Sequence, residues 1–380
     1  MGKSNSRDIS IILLITVLIK VAYIAFAKIL DKGVNLSDID SLATIFYRND
    51  SSWYEKIAVN LYPHIYNLND LGYAHGPLIK QSEWAFFPQY PLMIRGLMQF
   101  SLSFKESGFI LLILFSSLAA IGMYLFTQEY LTNRKSAIYC TLLLIVFPFN
   151  FYFSMMYSEA LFFSLLIFSF IAIQKQKYFY LPFLIIPLVL TRSLGIVCLL
   201  PLYLFYLERE RILDSFKISL STLFNKKNIL ISLYFLSGPM AFLAYMIYQK
   251  EMTDTYFAFS LAQAGWSRKF MFPLIAFFRR SDFSTQFNSV YTIIVIIFWF
   301  FHVRKFPLSL NVLIFLCLFF PLSSGSVISM PRFISIIFPI TIIAGIWLSK
   351  IKFNKLVLVF IFATQLIVFS YWLAWHPFSY

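Results

Sequence analysis

Charged residues are scarce in this 380-residue sequence, where Asp, Glu, Lys and Arg together account for 13% of the positions. A soluble globular protein has about a quarter of its residues charged and about half of them apolar. Here 60% of the residues are hydrophobic, 20% are aromatic and the mean hydropathy is +0.76. This composition excludes an ordinary soluble domain and predicts an all-α protein that crosses a membrane many times.

The sequence also has few residues of the kinds that build disulfides or metal sites. Its three cysteines, Cys140, Cys198 and Cys317, lie far apart inside apolar segments, which indicates small core residues and no disulfide framework. The four histidines have no spacing typical of metal ligands. Solenoid repeats, low-complexity tracts and a soluble domain are absent as well. We therefore predict a single transmembrane domain over residues 1–380, without a metal or another cofactor.

Acidic residues are few relative to basic ones: 17 Asp and Glu stand against 31 Lys and Arg, for a net charge of +14. The basic residues fall in short clusters between apolar segments, as in cytoplasmic loops that face anionic lipid headgroups. That distribution favours membrane lipids as partners and disfavours nucleic acid. Lys3 and Arg7 precede the apolar segment Ile11–Ile29, which predicts an uncleaved first span that starts in the cytoplasm.

With about 20 helical residues for each bilayer crossing, the apolar segments predict a bundle of about 11 transmembrane helices. Two long loops then face outwards: residues 31–107, which include an interfacial helix, and residues 249–288. The pattern of Trp53-Tyr54, Ile57-Ala58 and Leu61-Tyr62 predicts an ordered amphipathic helix in the first loop. The acidic residues between Asp31 and Glu83 of the first loop are Asp31, Asp38, Asp40, Asp50, Glu55, Asp70 and Glu83, and the second loop holds Gln263, Trp266, Arg268, Lys269, Arg279, Arg280 and Asp282. Because the cytoplasmic loops are short, we expect any chemistry on the outer face.

Prolines and isolated charges indicate where the chain bends at this face. The two prolines three residues apart in Glu83–Pro91 disfavour a plain spanning helix. The segment Ser136–Gln174 is too long for one crossing, which predicts a helical hairpin with its tip at Pro148–Ser158. The segment Tyr178–Leu207 has basic residues at both ends, which predicts two short crossings with Arg192 at the tip.

Glu159, Arg192 and Arg332 each stand alone in a long uncharged stretch. An unpaired charge at membrane depth costs roughly 2.5–3.5 kcal/mol, so such a side chain normally faces a cavity or a charged partner. On the predicted topology all three lie near the outer boundary, beside the two long loops. The alternative is that Glu159 and an arginine form an ion pair that only holds helices together.

Several short motifs surround these charges and lie in one order along the chain. They are the loop around Asp50, Ala85-Phe86-Phe87-Pro88-Gln89-Tyr90-Pro91, Tyr157-Ser158-Glu159-Ala160-Leu161-Phe162, Arg192-Ser193-Leu194-Gly195, Gln263-Ala264-Gly265-Trp266-Ser267-Arg268, and Arg332-Phe333 near Phe338-Pro339. In this order they resemble the motifs of the second GPI mannosyltransferase (PIG-V-like) family, which includes bacterial relatives. Two positions depart from the family's pattern: Asn49 stands where a tryptophan is usual, and Leu61-Tyr62 where Gly-Tyr is expected.

The resemblance implies a GT-C membrane glycosyltransferase, which takes a sugar from a polyprenyl-phosphate donor at the non-cytoplasmic face. It also implies that the first outer loop supplies a catalytic carboxylate; we choose Asp50 as the general base, with Asp38 and Asp40 as alternatives. Arg192, Arg332 and Arg268 are the candidates for binding the donor phosphate, because a guanidinium binds phosphate oxygens in a bidentate manner. The other candidate substrate-binding residues are Glu83, which would position the acceptor or the loop, Glu159, which would orient an arginine, and Tyr90, Tyr157, Gln263 and Trp266.

Other classes of protein stay open at this point. A secondary transporter has lone charges near the midplane of two related halves, a symmetry that this sequence does not show. A flippase for lipid-linked glycans or a polymer ligase would also carry outer arginines, and arabinosyl or protein-O-mannosyl transfer is a further option. The motifs specify neither the sugar nor the acceptor, a lipid-linked or glycan hydroxyl. The short loops favour the cytoplasmic membrane of a bacterium, with the site facing outside; in a eukaryote we expect the endoplasmic reticulum membrane.

Overall fold

The computed structural model describes residues 3–30, 32–75, 78–214, 217–278 and 282–376. Asp31, Arg279 and Arg280, which the sequence assigns to the two long loops, lie outside the described residues. Within these ranges the chain forms seventeen α-helices, in the order α1 (Lys3–Ile29), α2 (Ile39–Thr44), α3 (Asp50–Asn60), α4 (Gln89–Met98), α5 (Phe104–Leu131), α6 (Arg134–Val146), α7 (Glu159–Gln174), α8 (Leu181–Val189), α9 (Leu194–Arg209), α10 (Leu220–Leu223), α11 (Lys226–Thr253), α12 (Ala258–Leu261), α13 (Phe283–His302), α14 (Leu308–Leu322), α15 (Met330–Ser335), α16 (Phe338–Lys350) and α17 (Asn354–Leu373).

Five helical segments of the described chain are long and apolar enough to cross a membrane: Asn5–Ile29, Phe104–Leu131, Lys226–Thr253, Phe283–Lys305 and Asn354–Leu373. Between them lie shorter apolar helices, Glu159–Gln174, Tyr178–Val189, Leu308–Leu322 and Phe338–Lys350, and the bent pair formed by α6 and the 3-10 helix Pro148–Ser154. The all-α membrane class predicted from composition is confirmed. The count of eleven crossings stays a prediction, because the shorter helices fall below the length of a spanning helix.

Two of the predicted breaks, and a third within residues 332–349 that the sequence does not predict, fall at one end of the bundle. α6 ends before Phe147-Pro148, where Phe147 is extended (φ −65°, ψ 140°), as expected of a residue before proline, and the chain bends by 78° into the 3-10 helix. α8 ends at Val189 and α9 begins at Leu194, with Arg192 in the gap. At Gly195 a Cβ atom would lie 2.3 Å from the carbonyl oxygen of Leu188, so this tight turn requires glycine. α15 and α16 are similarly separate helices, which leaves Arg332 on a short one.

α7 lies at the centre of the bundle, with fourteen of its sixteen residues buried. It packs against α5, α8 and α9, and a helix that is apolar on all sides is expected in such a place. Its first residue is Glu159, so the central helix presents a carboxylate at the end of the bundle where the breaks lie. We call this end the site end, and the opposite end of α7, near Gln174, the basic end.

The described residues of the first long loop include helices, as its sequence predicts. The predicted amphipathic helix is α3, and the predicted interfacial helix is α4, which begins at Gln89 after a 3-10 helix, Glu83–Ala85. α5 begins at Phe104, within the 31–107 region predicted as loop and interfacial helix, because Ser103 and Glu106 form a capping box there. The structure also has two short antiparallel hairpins that the sequence does not predict. They are formed by β1 (Tyr73–His75) with β2 (Leu78–Lys80) and by β3 (Leu213–Asp214) with β4 (Lys217–Ile218).

The two long loops pack on each other at the site end. Trp84 and Phe87 of the first loop share a small buried core with Ala258 and Ala262 of the second. At Gly265 a Cβ atom would lie 2.3 Å from the carbonyl oxygen of Lys80, so the backbones of the two loops approach too closely for a side chain. α11 continues to Thr253 and α13 begins at Phe283, which leaves the second loop shorter than the predicted 249–288.

Candidate active site

The carboxylate of Glu159 holds two arginines at the start of α7. Its Oε1 accepts hydrogen bonds from Nη1 of Arg192 and from Nε of Arg332, although these residues belong to different parts of the chain. The Glu159 side chain is only 1% exposed and that of Arg332 is 8% exposed. Burying one of these charges alone would be costly, so each requires the others.

Asp50 extends this ion-pair network towards solvent. Its Oδ2 lies 2.7 Å from Nη1 of Arg332, and its side chain is 23% exposed. Asp50 is the first residue of α3, and the next residue, Ser51, donates a hydrogen bond to the carbonyl of Met156 at 3.2 Å. The start of α3 is therefore tied to the segment that leads into α7. This places a partly exposed carboxylate beside the buried Arg332 and the half-buried Arg192.

Tyrosines line the network on the side of α3 and α7. The hydroxyl of Tyr54 donates to Oγ of Ser158 at 2.9 Å, and Arg192 donates to the same oxygen at 3.4 Å. The guanidinium of Arg332 lies over the ring of Tyr157, with 4.2 Å between its central carbon and the ring centroid. Tyr157 is buried, so in this conformation it supports Arg332 and is not open to a ligand. Tyr90 is buried too, with its ring 5.1 Å from that of Tyr54.

Arg268 approaches the network from the second long loop. Its Nη1 donates to Oε1 of Gln263 at 3.1 Å, and its guanidinium lies 5.9 Å from the ring centroid of Phe333. Arg192 lies 5.5 Å from the same ring. Burial lowers the pKa of Arg268 to about 10, while the nearby Asp50 raises it and Arg332 and Arg192 lower it. The guanidinium of Arg268 therefore stays cationic at neutral pH. Repulsion by the neighbouring arginines favours the binding of an anion beside it.

Aromatic rings form the rim of the site. Trp266 lies 5.6 Å from the rings of both Trp53 and Phe86, and all three are partly exposed. Rings of this kind present apolar faces on which a sugar can stack. Glu83 begins the 3-10 helix behind them, and its carboxylate forms no ion pair in the part of the chain that the structure describes.

The two acidic residues that compete with Asp50 have local partners. Asp38 caps α2, with its carboxylate accepting from the backbone N–H groups of Asp40 and Ser41. Asp40 accepts a hydrogen bond from Oγ of Ser103 at 2.7 Å. Neither forms an ion pair with an arginine of the network in the described chain. Asp38 therefore serves as a helix cap, whereas Asp50 is a carboxylate of this loop that pairs with an arginine of the network.

Two contacts of the site were missed by sequence reasoning. Phe333, which separates Arg192 from Arg268, and Tyr54, which reaches Ser158, both lie inside the motifs but were given no role. Phe333 directly follows Arg332 in the sequence, and Tyr54 lies about one helical turn after Asp50, which was the available signal. Among the described residues, no group of three or more His, Cys, Asp or Glu side chains is arranged to hold a metal ion.

The charges of this cluster do not cancel. The site cluster, which we define as Asp50, Glu159, Arg192, Arg268 and Arg332, has three cations and two anions and so a formal charge of +1. A partly buried site with one excess positive charge suits a monoanionic ligand. Neither the protein-family models nor the curated proteins include a match to this chain. The fold and site thus define an all-α protein of membrane type with a charged cluster at one end of its bundle.

Proposed function

We propose that this protein is a membrane glycosyltransferase of the GT-C type, a mannosyltransferase-like enzyme that transfers a sugar from a polyprenyl-phosphate donor to an acceptor hydroxyl. One observation carries the proposal: Asp50, Arg332, Glu159 and Arg192, from four distant segments, form one continuous ion-pair network with a partly exposed carboxylate at its outer end. A network needed only to hold helices together would not require that exposed carboxylate or the unpaired Arg268 beside it.

The charge of the site cluster supports this class of donor. A sugar linked to a polyprenyl phosphate is a phosphodiester with one negative charge, and the cluster has one excess positive charge. When the bond to the sugar breaks, the leaving phosphate gains negative charge, which guanidinium groups stabilise in a site with little water. The arginines can supply this stabilisation by themselves, so the proposal requires no metal.

Asp50 acts as the general base in this reaction. The acceptor oxygen attacks the anomeric carbon of the sugar, the bond from that carbon to the phosphate oxygen breaks, and the acceptor proton moves to the Asp50 carboxylate. Asp50 is paired with Arg332 on one side only, and its exposed face is free to meet the acceptor. Trp53, Phe86 and Trp266 border the space where the sugar would lie.

The wider setting belongs to the same proposal. The basic loops lie in the cytoplasm, the site faces outwards, and the short apolar helices cross the bilayer to complete about 11 spans. The host membrane is the cytoplasmic membrane of a bacterium, or the endoplasmic reticulum in a eukaryote. The acceptor is a lipid-linked or glycan hydroxyl.

The test is transfer from a polyprenyl-phosphate mannose to membrane acceptors by the purified protein in liposomes. We expect a new glycosidic product, and we expect Asp50→Asn to lower its rate by about 10² to 10⁴. Asp38→Asn is the matched control, because it alters a carboxylate of the same loop that caps a helix, and it should retain most of the activity. Movement of solute or lipid across the liposome without bond formation would favour a transporter or flippase, and equal rates for Asp50→Asn and wild type would exclude Asp50 as the base.

A further inference from the structure

The end of α17 contacts the loop residues that directly precede Asp50. Nη2 of Arg48 donates a hydrogen bond to the carbonyl of Leu373 at 3.1 Å, although the two residues are 325 positions apart. The guanidinium also lies over the ring of Trp375, with 4.3 Å between its central carbon and the ring centroid. The last carbonyl groups of a helix have no partner within the helix and carry a partial negative charge, which a guanidinium can bind. Arg48 therefore joins the first long loop to residues 372–375, which we call the α17 end.

A second residue of the α17 end contacts both the loop and the segment that leads into α7. Trp372 is buried, and its Nε1 donates to the carbonyl of Ile45 at 3.2 Å. Its ring centroid lies 5.6 Å from that of Tyr157, the residue that supports the guanidinium of Arg332. The α17 end thus contacts the surroundings of both members of the Asp50–Arg332 pair.

The backbone between Arg48 and Asp50 has a conformation that depends on such contacts. Asn49 has φ 46° and ψ −108°, a combination that residues with a side chain rarely adopt. A conformation of this kind persists only where the surrounding structure fixes it, and it is most often found at functional sites. Here the chain is fixed on one side by Arg48 and on the other by the hydrogen bond from Ser51 to the carbonyl of Met156. These contacts determine where the Asp50 carboxylate lies.

We propose that Arg48 and Trp372 are positioning residues, through which the α17 end fixes the Asp50 carboxylate beside Arg332. The inference rests on the proposed function and deepens it, because a general base acts only within hydrogen-bonding reach of the proton that it accepts. A displacement of about 1 Å is enough to slow such a step about a hundredfold. The α17 end therefore contributes to transfer without touching the substrate.

The other end of α3 provides a matched control. Nη1 of Arg95 donates to the carbonyls of Ala58 and Val59, at 2.7 Å and 2.8 Å, in the last turn of the same helix. Arg48 and Arg95 thus both bind carbonyl groups at the end of a helix, but Arg48 is the one close to Asp50. A role limited to stability predicts similar effects on transfer for the two arginines, whereas a positioning role predicts different ones.

The experiment compares Arg48→Gln with Arg95→Gln in the liposome assay, with kcat and the KM for the donor measured separately on the full-length protein. We expect Arg48→Gln to lower kcat about tenfold to a hundredfold. Its KM should change by less than about threefold, because Glu159 still holds the two arginines of the network. Arg95→Gln should change kcat by less than about twofold. Arg48→Lys should retain more of the kcat than Arg48→Gln, because an ammonium group can still donate to the Leu373 carbonyl.

Trp372→Phe tests the second contact of the α17 end. It removes the hydrogen bond to Ile45 and keeps most of the apolar ring, so kcat should fall about threefold to tenfold with little change in KM. Trp299→Phe is the matched control, because Nε1 of Trp299 donates to Oδ1 of Asn311 at 2.9 Å in the last turn of α13. The same chemical change there should leave kcat within about twofold of wild type.

Hydrogen exchange tests the position of the loop without turnover. The backbone N–H groups of Ser51 and Ser52 donate to the carbonyls of Arg48 and Asn49, each at 3.0 Å. In nanodiscs, a peptide that covers residues 47–53 should exchange faster in folded Arg48→Gln than in wild type. In Arg95→Gln it should exchange as in wild type, because that variant loosens the opposite end of α3.

Three results would overturn the proposal: equal kcat values for Arg48→Gln and Arg95→Gln, a raised KM with unchanged kcat in Arg48→Gln, or unchanged exchange of residues 47–53 in that variant. If Arg48→Gln does not fold, Arg48→Lys and Trp372→Phe provide the same comparison. The two proposals fail separately. Absence of transfer by the wild-type protein would reject the transferase, and the exchange measurement would still show whether the α17 end fixes the loop at Asp50. Transfer by the wild type with unchanged exchange in the variants would reject the positioning role alone.

Discussion

Two glutamates, Glu159 at the start of the central helix α7 and Glu210 near its other end, have carboxylates with different partners. Glu210, at the basic end, accepts from the Tyr178 hydroxyl and from Gln176 on one oxygen, and from Lys227 at 2.7 Å on the other. Glu159, at the site end, accepts from both arginines on Oε1, and its buried Oε2 has no hydrogen-bond partner among the described residues.

The balance of charge separates the two ends further. Glu210 is 13% exposed and is matched by one lysine that is itself 55% exposed, so this pair is neutral and screened by solvent. In the site cluster Glu159 and Arg332 are buried, and the cluster as a whole has an excess positive charge. A buried ion pair is seldom the most stable way to fill a core, since removing charges from water costs several kcal/mol per ion. The ion pair at Glu210 therefore stabilises the fold locally, whereas under the proposed function the site cluster binds a ligand.

The largest expected effect comes from making the same substitution at both glutamates. Glu159→Gln leaves Arg192 without a carboxylate partner among the described residues and leaves the buried Arg332 with Asp50 alone, which should lower the free energy of unfolding by about 3–5 kcal/mol and the transfer rate at least about a hundredfold. Glu210→Gln should cost less than about 1 kcal/mol and leave the rate unchanged. Thermal unfolding in detergent and the liposome assay measure both.

A second substitution separates stability from catalysis at Glu159. The double variant Glu159→Gln/Arg192→Gln also lacks the charge of Arg192, which loses its carboxylate partner in the single variant. It should recover part of the lost stability, but it should not recover transfer. Equal unfolding temperatures for the two single glutamate variants would show that the two ends are not as different as their contacts indicate.

The next effect concerns the contact between the two long loops. Gly265→Ala places a methyl group 2.3 Å from the Lys80 carbonyl, so the turn that holds Gln263 and Arg268 must move. We expect a loss of about 1–3 kcal/mol in the free energy of unfolding, the usual cost of overpacking, and a raised KM for the donor. Gly96→Ala is the matched control, because no atom lies within 4 Å of a Cβ there and α4 gains a better helix former. If Gly265→Ala retains the wild-type KM, the position of Arg268 does not depend on this contact.

The isolated charges were the part of the site that could be predicted from the sequence. Glu159, Arg192 and Arg332 each stand alone in an apolar stretch, where an unpaired charge is costly, so each is expected to have a charged partner. The prolines and lone charges nearby mark chain breaks at one end of the bundle. The sequence therefore predicts that these three side chains lie close together. Which carboxylate pairs with which arginine cannot be predicted from the sequence. Glu159 and Arg332 are 173 residues apart, and nothing in either motif indicates that one carboxylate oxygen would receive both arginines.

Short elements were the least predictable from the sequence. The strands of β1 and β2 have three residues each, which is too few for an alternating pattern to be recognised. The number of crossings is also open, because α8 and α16 have nine and thirteen residues. Helices of that length can be half-spans, and local hydropathy does not distinguish a short crossing from a buried core helix.

The smallest expected effect is the pH dependence of the stability that the Glu210–Lys227 ion pair contributes at the basic end. Burial raises the pKa of Glu210, but hydrogen bonds from Lys227 and Tyr178 outweigh burial and hold the pKa below its usual value. A carboxyl group with a lowered pKa in the folded state stabilises the fold above its unfolded pKa of about 4.3, and that contribution disappears as the pH falls through the lowered folded value. Glu210→Gln should therefore unfold at a lower temperature than wild type at pH 7, by an amount equivalent to less than about 1 kcal/mol, and this difference should shrink as the pH falls below about 4.3. A difference that stays constant as the pH falls through the acid range would mean that packing of the side chain, and not its charge, accounts for the stability at this end.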